Sequence, residues 1–280
     1  MKKNILFVLL LLAGLSKTYA TTNEAAPIVA LETTYGKIIL KLYPETAKHR
    51  DNFLKLVNQG FYNGVLFHRV IANFMIQAGD PKSKTVAANA TLGAGNAGYT
   101  IPAEFVYPQY YHKRGALAAA REGDKRNPLK VSSGWQFYIV QGRVYTNNEL
   151  NEMEKANEEK VYAKLYQDIS KSKQTQIDKL KSENDIAKLD ATRDTILNEV
   201  RTKMINTSTY HFTSQQRKDY TTIGGTPHLD GNYTVFGEVI EGLDVVEKIS
   251  KAQTTENNRP VENIIVIKAE VVKEAVDSKQ

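Results

Sequence analysis

Apolar and polar residues alternate with a period of two over several short stretches of the chain. Ile28–Thr33 and Lys37–Tyr43 alternate on either side of Tyr35-Gly36, which predicts a β-hairpin. Three later stretches are also predicted to be strands: Trp135–Gln141, Thr234–Gly237 and Val261–Val272. Successive side chains of a strand point to opposite faces, so this pattern is typical of antiparallel sheets.

Two helices are predicted beside these strands. Pro44 suits the first turn of a helix and Gly60 suits its end, so one helix should lie between them. The second covers Leu243–Ala252, whose apolar residues recur at helical spacing.

A charged region from Arg143 to Ile223 contains neither glycine nor proline, and such a composition favours helices. One apolar stripe in it has four members: Tyr162, Leu165, Tyr166 and Ile169. The polar stretch Ser170–Gln176 predicts a turn between two helices that fold back as a hairpin. A further short helix is predicted at Thr213, where the sequence resembles a capping box.

The change in composition divides the chain into parts. We place a charged helical insertion at residues 145–212, between two parts of one β domain at residues 27–144 and 213–274. The stripes of the insertion fit either a solvated spacer or a surface that binds a protein partner. If it is an arm of the latter kind, we expect residues 146–204 to be dispensable for any chemistry of the β domain.

The N-terminal segment has the pattern of a secretory signal peptide. Lys2 and Lys3 precede the apolar run Ile5–Leu15, and small residues lead up to Ala20. We therefore predict a signal peptide at residues 1–20, export to the periplasm, and no stable membrane insertion after cleavage. An uncleaved anchor helix is the alternative.

Composition excludes several classes of function. The 280 residues include no cysteine, which rules out disulfides and thiol catalysis. The formal charge of +6 includes three lysines of the signal segment, and the remaining excess is too small and dispersed to indicate nucleic-acid binding. The five histidines lack metal-ligand spacing, so no metal is expected.

One glycine-rich stretch matches the sequence fingerprint of a dinucleotide-binding site. Gly93–Gly98 fits G-x-G-x-x-G, but that fingerprint requires a strand before it and a helix after it. Pro102 follows closely and Tyr99–Ile101 is extended in pattern, so we predict a loop beside a groove and no cofactor.

The run Phe67–Pro81 is the most informative stretch of the sequence. It alternates as a strand, breaks at Ala72-Asn73, and then resumes until Gly79. Arg69 and Gln77 are thereby set among Phe, Met and Ile residues. A buried guanidinium is costly unless it is needed, so this pattern indicates either a functional arginine or a core strand whose arginine reaches the surface.

Three segments, in order, resemble the cyclophilin family of peptidyl-prolyl cis–trans isomerases. Phe67–Asp80 is similar to its central signature, Gly134–Ile139 to Gly-Ser-Gln-Phe-Phe-Ile, and His228–Gly237 to Trp-Leu-Asp-Gly-x-His-x-Val-Phe-Gly. The resemblance implies a mainly β fold, namely a closed antiparallel eight-stranded barrel flanked by two helices. The helical hairpin would be inserted into it.

The resemblance also implies a set of site residues. Arg69 and Gln77 would be catalytic, with Arg69 stabilising the twisted prolyl amide. The substrate-binding residues would be Phe74, Met75, Ala120, Arg121, Gln136, Tyr138, His228, Leu229 and Tyr233. Three of these depart from the family pattern: Tyr138 replaces phenylalanine, His228 tryptophan and Tyr233 histidine.

The implied function is prolyl isomerisation that assists the folding of exported proteins. The partners would be proline-containing peptides and unfolded exported chains, with a further protein partner for the helical insertion. The alternative is a non-catalytic proline-peptide binding module or holdase chaperone that uses the same groove. The presence of both Arg69 and Gln77 favours the enzyme.

Overall fold

The structure is a computed structural model that describes residues 26–85, 92–93, 98–207 and 209–272. The predicted signal peptide at residues 1–20 lies outside the described residues, and so do residues 94–97 of the glycine-rich stretch. Within the described ranges, no helix has the length and the apolar character needed to cross a membrane.

The described strands form two antiparallel sheets. In chain order they are Ile28–Thr33 (β1), Gly36–Leu42 (β2), Arg69–Ile71 (β3), Met75–Ala78 (β4), Thr100–Ile101 (β5), Ala116–Ala119 (β6), Ser132–Ser133 (β7), Phe137–Val140 (β8), Val235–Glu241 (β9) and Val266–Val272 (β10). The large sheet has the order β10-β1-β2-β9-β6-β8-β4-β3, and β5 pairs with β7. The predicted hairpin is formed by β1 and β2, in register from Ile28 opposite Lys41 to Thr33 opposite Gly36.

The large sheet curls but its two edge strands, β3 and β10, are not paired with each other. The chain just before β3 approaches the start of β10: the amide of Gly64 donates to the carbonyl of Val266 at 2.7 Å, and that of Phe67 to Ile264 at 2.9 Å. The sheet is therefore an open half-barrel with a few backbone bonds across its gap. The closed barrel that the resemblance implies is not confirmed.

Six α-helices are described, which makes the fold mixed α and β rather than mainly β. They are Ala47–Asn58 (α1), Asn147–Ser172 (α2), Gln174–Ser182 (α3), Ile186–Ile205 (α4), Ser214–Thr222 (α5) and Leu243–Ser250 (α6). Two of them flank the sheet: α1 contacts β9 and β10, whereas α6 contacts β2, β3 and β4.

Helix α1 begins at Ala47 and not in the turn opened by Pro44. The reason is a distant carboxylate: Glu104 accepts hydrogen bonds from the backbone amides of Lys48 at 3.1 Å and His49 at 3.0 Å. The first amides of a helix have no partner within it, and a carboxylate also suits the positive end of the helix dipole. Glu104 thus fixes where the helix starts.

The main core lies between the large sheet and its two flanking helices. Phe53 of α1 meets Phe137 of β8 edge to face with ring centroids 5.4 Å apart, and Tyr62 meets Phe137 in the same way at 5.3 Å. Phe137 and Ile139 both belong to this core, as their alternation predicted. The neighbouring Tyr138 belongs to a second cluster on the opposite face.

Helices α2, α3 and α4 pack on one another and form what we call the helical arm. Ile169 of α2 packs with Ile196 and Val200 of α4. The chain makes three helices here where two were expected: α2 ends at Ser172 inside the polar stretch, α3 follows from Gln174, and a second break after Ser182 separates α3 from α4. Of the apolar stripe, Ile169 is buried, whereas Tyr162 and Tyr166 stay 38% and 37% exposed.

The helical arm joins the sheet through a small aromatic core, which we call the arm root (residues 145–157 and 209–222). Leu150 of α2 is fully buried there with Tyr145, Phe212 and Tyr220. The predicted capping box starts α5: Oγ1 of Thr213 accepts from the backbone amide of Gln216 at 3.2 Å, and the amide of Thr213 donates to Oε1 of Gln216 at 2.8 Å. Below the root, Arg143 and Gly225 exchange backbone hydrogen bonds of 3.2 and 3.0 Å.

Candidate active site

The register of four neighbouring strands brings the central side chains of the site into one row. Arg69 of β3 lies opposite Gln77 of β4, Gln77 lies opposite Tyr138 of β8, and Tyr138 lies opposite Ala118 of β6. Directly opposed residues of antiparallel strands project from the same face of a sheet. The row therefore presents a guanidinium, an amide and a phenol ring side by side.

A chain of side-chain hydrogen bonds orients the guanidinium. Nη1 of Arg69 donates to Oε1 of Gln77 at 3.2 Å, and Nε2 of Gln77 donates to Oε1 of Gln136 at 2.9 Å. Nε2 of Gln136 in turn donates to the backbone carbonyl of Gly93 at 3.3 Å. Each amide is thus fixed in one orientation, and Gln77 presents its oxygen to the arginine.

Arg69 is half-buried and makes no ion pair with any described carboxylate. Burial lowers the pKa of its guanidinium, and the nearby Tyr233 acts weakly in the opposite direction. Arginine nevertheless stays protonated at neutral pH because its ordinary pKa is so high. The site therefore holds a positive charge that, among the described residues, is hydrogen-bonded by the neutral amide of Gln77.

A cavity of about 270 Å³ opens in front of this row. It is lined by the predicted site residues Arg69, Phe74, Met75, Gln77, Ala120, Arg121, Tyr138, Leu229 and Tyr233, together with His68, Leu92, Gly93 and Asn257. Pockets for drug-sized ligands begin at about 300 Å³, so the cavity suits a single small apolar group better than a large cofactor.

A wider cavity of about 980 Å³ continues from the first and shares Gln77, Gly93, Ala120 and Arg121 with it. Gln136 lines this second cavity rather than the first. Most of the remaining wall is the loop of residues 122–127. Together the two cavities form one groove, a shape that fits an extended chain, and the end near Arg69 has an apolar wall of Phe74, Met75, Tyr138 and Leu229.

Tyr138 lines the apolar end of the groove, and a buried histidine accounts for its extra hydroxyl. The hydroxyl lies 3.0 Å from Nε2 of His112, and the two rings are nearly parallel at 13°. Nδ1 of His112 lies 2.9 Å from Oδ1 of Asp230. Neither His112 nor Asp230 was predicted as a site residue, because a lone histidine and the aspartate of a turn carry no local signal.

Arg121 is held by the protein itself rather than projecting freely into the groove. Its Nε donates to the carbonyl of Asn232 at 2.8 Å, and Nη1 lies 2.8 Å from Oδ1 of Asp124. Its guanidinium lies over the Tyr233 ring, 4.3 Å from the centroid, and this contact supports the tyrosine from behind. Next to it, the amide of Ala120 donates to the carbonyl of Gln136 at 3.0 Å.

His228 is the one predicted site residue that lines neither cavity. It is exposed, and its ring packs on Phe74 with centroids 5.5 Å apart. Burial of its packed side lowers the pKa of the imidazole, and the neighbouring His112 adds to this effect. His228 therefore supports the wall of the groove from outside.

Strict alternation from Phe67 onward would point His68 away from Arg69, but His68 lines the same cavity. The alternation does not hold there because β3 begins only at Arg69, so His68 belongs to the irregular chain before it. Its ring is buried. Burial lowers the pKa of His68 and keeps it neutral.

Comparison with known proteins identifies the family to which this chain is similar. The family model described as cyclophilin type peptidyl-prolyl cis-trans isomerase/CLD matches residues 28–156 and 141–271. A peptidyl-prolyl cis-trans isomerase of Staphylococcus haemolyticus is 26% identical over 239 residues, covering 85% of this chain and 87% of that protein.

Two further similar proteins differ in how much of their own length the match covers. A bifunctional phosphatase/peptidyl-prolyl cis-trans isomerase of Streptococcus pyogenes is 29% identical over 258 residues, which span 89% of this chain but only 39% of that protein. The crystal structure of a cyclophilin type peptidyl-prolyl cis-trans isomerase of Cryptosporidium parvum superposes with a TM-score of 0.51 at 19% identity, covering 89% of this chain and 99% of that one. At that identity the superposition supports the fold alone.

Proposed function

The chain belongs to the cyclophilin-type peptidyl-prolyl cis–trans isomerase family and is an enzyme of that class, and we propose that Arg69 catalyses its reaction on exported proteins. The observation that carries the proposal is the guanidinium of Arg69 at an apolar cavity, oriented by the neutral Gln77 at 3.2 Å. No described carboxylate neutralises its charge.

Isomerisation of a prolyl bond needs neither a nucleophile nor a base. The planar amide is stabilised by resonance, and rotation about it costs roughly 20 kcal/mol. When the amide twists, the prolyl nitrogen loses conjugation and its lone pair becomes a hydrogen-bond acceptor. A guanidinium aimed at that nitrogen stabilises the twisted state and not the planar ones, which is the requirement for catalysis.

The apolar end of the groove supplies the second contribution. Met75 and Leu229 are buried in the cavity wall, and Tyr138 forms part of it. The planar amide is the more polar species, so it loses more than the twisted one when both leave water. An acceleration of about 10^5 requires roughly 7 kcal/mol, which a charge-assisted hydrogen bond and desolvation can supply together.

Exported proteins are the proposed clients. The basic start of the chain, its apolar run and the small residues before Thr21 support export to the periplasm. Prolyl isomerisation limits the folding rate of many proteins, in the periplasm as in other compartments, because the uncatalysed step takes about 10–100 s. A groove made of two adjoining cavities suits an extended, unfolded chain better than a free amino acid.

A protease-coupled assay on an Ala-Pro tetrapeptide tests the proposal. Arg69→Ala is expected to lower kcat/KM at least 100-fold, about 3 kcal/mol, with an unchanged circular dichroism spectrum. Arg193→Ala is the matched control, since Arg193 lies exposed on α4 and pairs only with Asp190. A folded Arg69→Ala variant with near-normal turnover would sink the mechanism. A wild type that binds the peptide without turning it over would favour a binding module.

A further inference from the structure

Asp230 is a fully buried carboxylate that four hydrogen-bond donors surround. Oδ1 accepts from the backbone amide of His112 at 2.8 Å and from its Nδ1 at 2.9 Å. Oδ2 accepts from the hydroxyls of Tyr220 at 2.7 Å and Tyr210 at 3.0 Å. In the described residues its only ionic contact is with His112, and the tyrosines supply every side-chain donor to Oδ2. A buried carboxylate is tolerated only with such complete hydrogen bonding.

The orientation of Asp230 decides which nitrogen of His112 carries the proton. A carboxylate can only accept, so Nδ1 of His112 must donate to it. In the neutral ring Nε2 is then an acceptor, and the hydroxyl of Tyr138 donates to it over 3.0 Å. The same tyrosine lines the cavity in front of Arg69. The network therefore runs without a gap from Asp230 to the wall of the groove.

The two tyrosines that hold Oδ2 come from the arm root and not from the sheet. Tyr220 lies in α5, and Tyr210 lies in the chain between α4 and α5. Helix α2 fixes this chain: Asn157 accepts from the amide of Tyr210 at 3.4 Å, and Glu154 accepts from the amide of Phe212 at 2.7 Å. Tyr220 is fully buried, so its ring cannot turn away.

We propose that Tyr210 and Tyr220 are positioning residues of the isomerase groove, acting on Tyr138 through Asp230 and His112. The inference rests on the proposed function of the groove. With both hydroxyls removed, Oδ2 becomes a buried anionic oxygen without a donor. Asp230 then turns, His112 loses its fixed tautomer, and the hydroxyl of Tyr138 loses its acceptor. The ring that forms the apolar wall is no longer held in one place.

A double-mutant cycle separates positioning from simple structural support. In the wild-type background, Y210F/Y220F is expected to lower kcat/KM on an Ala-Pro tetrapeptide about five-fold or more. In a Tyr138→Phe background, which has already lost the last link, the same pair should change the rate less than about two-fold. Equal losses in both backgrounds, or no loss in either, would overturn the proposal. Y162F/Y166F is the matched control, because both tyrosines are exposed on α2.

A second measurement keeps the test independent of turnover. Nitrogen-15 NMR reports the tautomer of His112: in the wild type Nδ1 should be protonated and Nε2 should show the shift of an acceptor. Y210F/Y220F is expected to move these resonances, and Y162F/Y166F is not. Unchanged His112 resonances in folded Y210F/Y220F would overturn the proposal even in an inactive protein. Loss of activity in Arg69→Ala alone tests the proposed function, so the two failures are distinguishable.

Discussion

Arg69 and Gln77 face each other across two paired strands, and the oxygen of Gln77 accepts from Nη1 of Arg69 at 3.2 Å. The partner of this arginine is thus a neutral amide, although a carboxylate of nearly the same shape would bind it more strongly. A neutral partner orients the guanidinium without neutralising its charge, as the proposed catalytic role of Arg69 requires.

This relationship predicts the effect of changing the partner's charge. Gln77→Glu should lower kcat/KM roughly 10- to 100-fold, because the new carboxylate forms an ion pair with Arg69 and competes with the prolyl nitrogen. The tetrapeptide assay measures the loss. Gln77→Met removes the hydrogen bond without adding charge and serves as the comparison, with a smaller loss expected. Full activity of Gln77→Glu would show that the charge of Arg69 does not act on the substrate.

Three histidines, of which His49 and His68 are buried and His228 is packed on one side, predict how stability depends on pH. Burial lowers the pKa values of His49, His68 and His228 in the folded protein. In the unfolded chain these groups titrate near their ordinary pKa of about 6.5, so the unfolded chain takes up protons first as the pH falls. The free energy of unfolding should be constant from about pH 8 to 7 and fall as the pH drops through 6.5.

Urea denaturation at pH 8, 7, 6 and 5.5 measures that decline. His68→Gln should flatten it, because one of the groups that binds protons only on unfolding is gone. A free energy of unfolding that does not change between pH 8 and 5.5 contradicts the prediction.

Gly79 is predicted to be irreplaceable for a steric reason. Its φ is +102°, and a Cβ atom there would lie 2.2 Å from the carbonyl oxygen of Trp135. Both the backbone conformation and the contact exclude a side chain, so Gly79→Ala should destabilise the fold by about 2–4 kcal/mol. Gly123→Ala is the control, since a Cβ there meets nothing within 4 Å. Denaturation midpoints of the two variants check the difference, and equal midpoints would refute it.

The outer part of the helical arm is predicted to serve protein clients rather than the chemistry. Replacing residues 161–204 by a short Gly/Ser linker should leave tetrapeptide turnover within about two-fold of the wild type. Catalysed refolding of a proline-limited protein should slow several-fold, because the arm no longer holds the client near the groove. Equal loss on both substrates would mean that the arm supports the sheet, and no loss on either would mean that it is a spacer.

This truncation is shorter than the sequence alone suggested. The sequence indicated that residues from Thr146 onward are dispensable, but Leu150 is fully buried at the arm root and Glu154 bonds the chain at Phe212. The sequence of a charged helix does not show which of its few apolar residues packs against the rest of the protein. The boundary between root and arm is a tertiary contact, and only the structure locates it.

The groove residues that were predicted follow from local sequence patterns, whereas those that were missed meet only through tertiary contacts. Arg69, Gln77 and Phe74 lie within one short run, so their placement follows from alternation and a turn. His112 and Asp230 are 118 positions apart and meet through a hydrogen bond that no local pattern encodes. The start of α1 was missed for the same reason, because Glu104 lies 55 positions from the amide of His49 that it binds.

The backbone bonds between Arg143 and Gly225 hold together the two ends of the segment from Val144 to Gly224, so the helical arm leaves the sheet and returns to it at one point. At this point the two backbones lie as close together as they can, since a Cβ on Gly142 would lie 2.5 Å from the Cα atom of Gly225. Residues at the tip of the arm can therefore be added, removed or replaced without moving the strands that carry the groove.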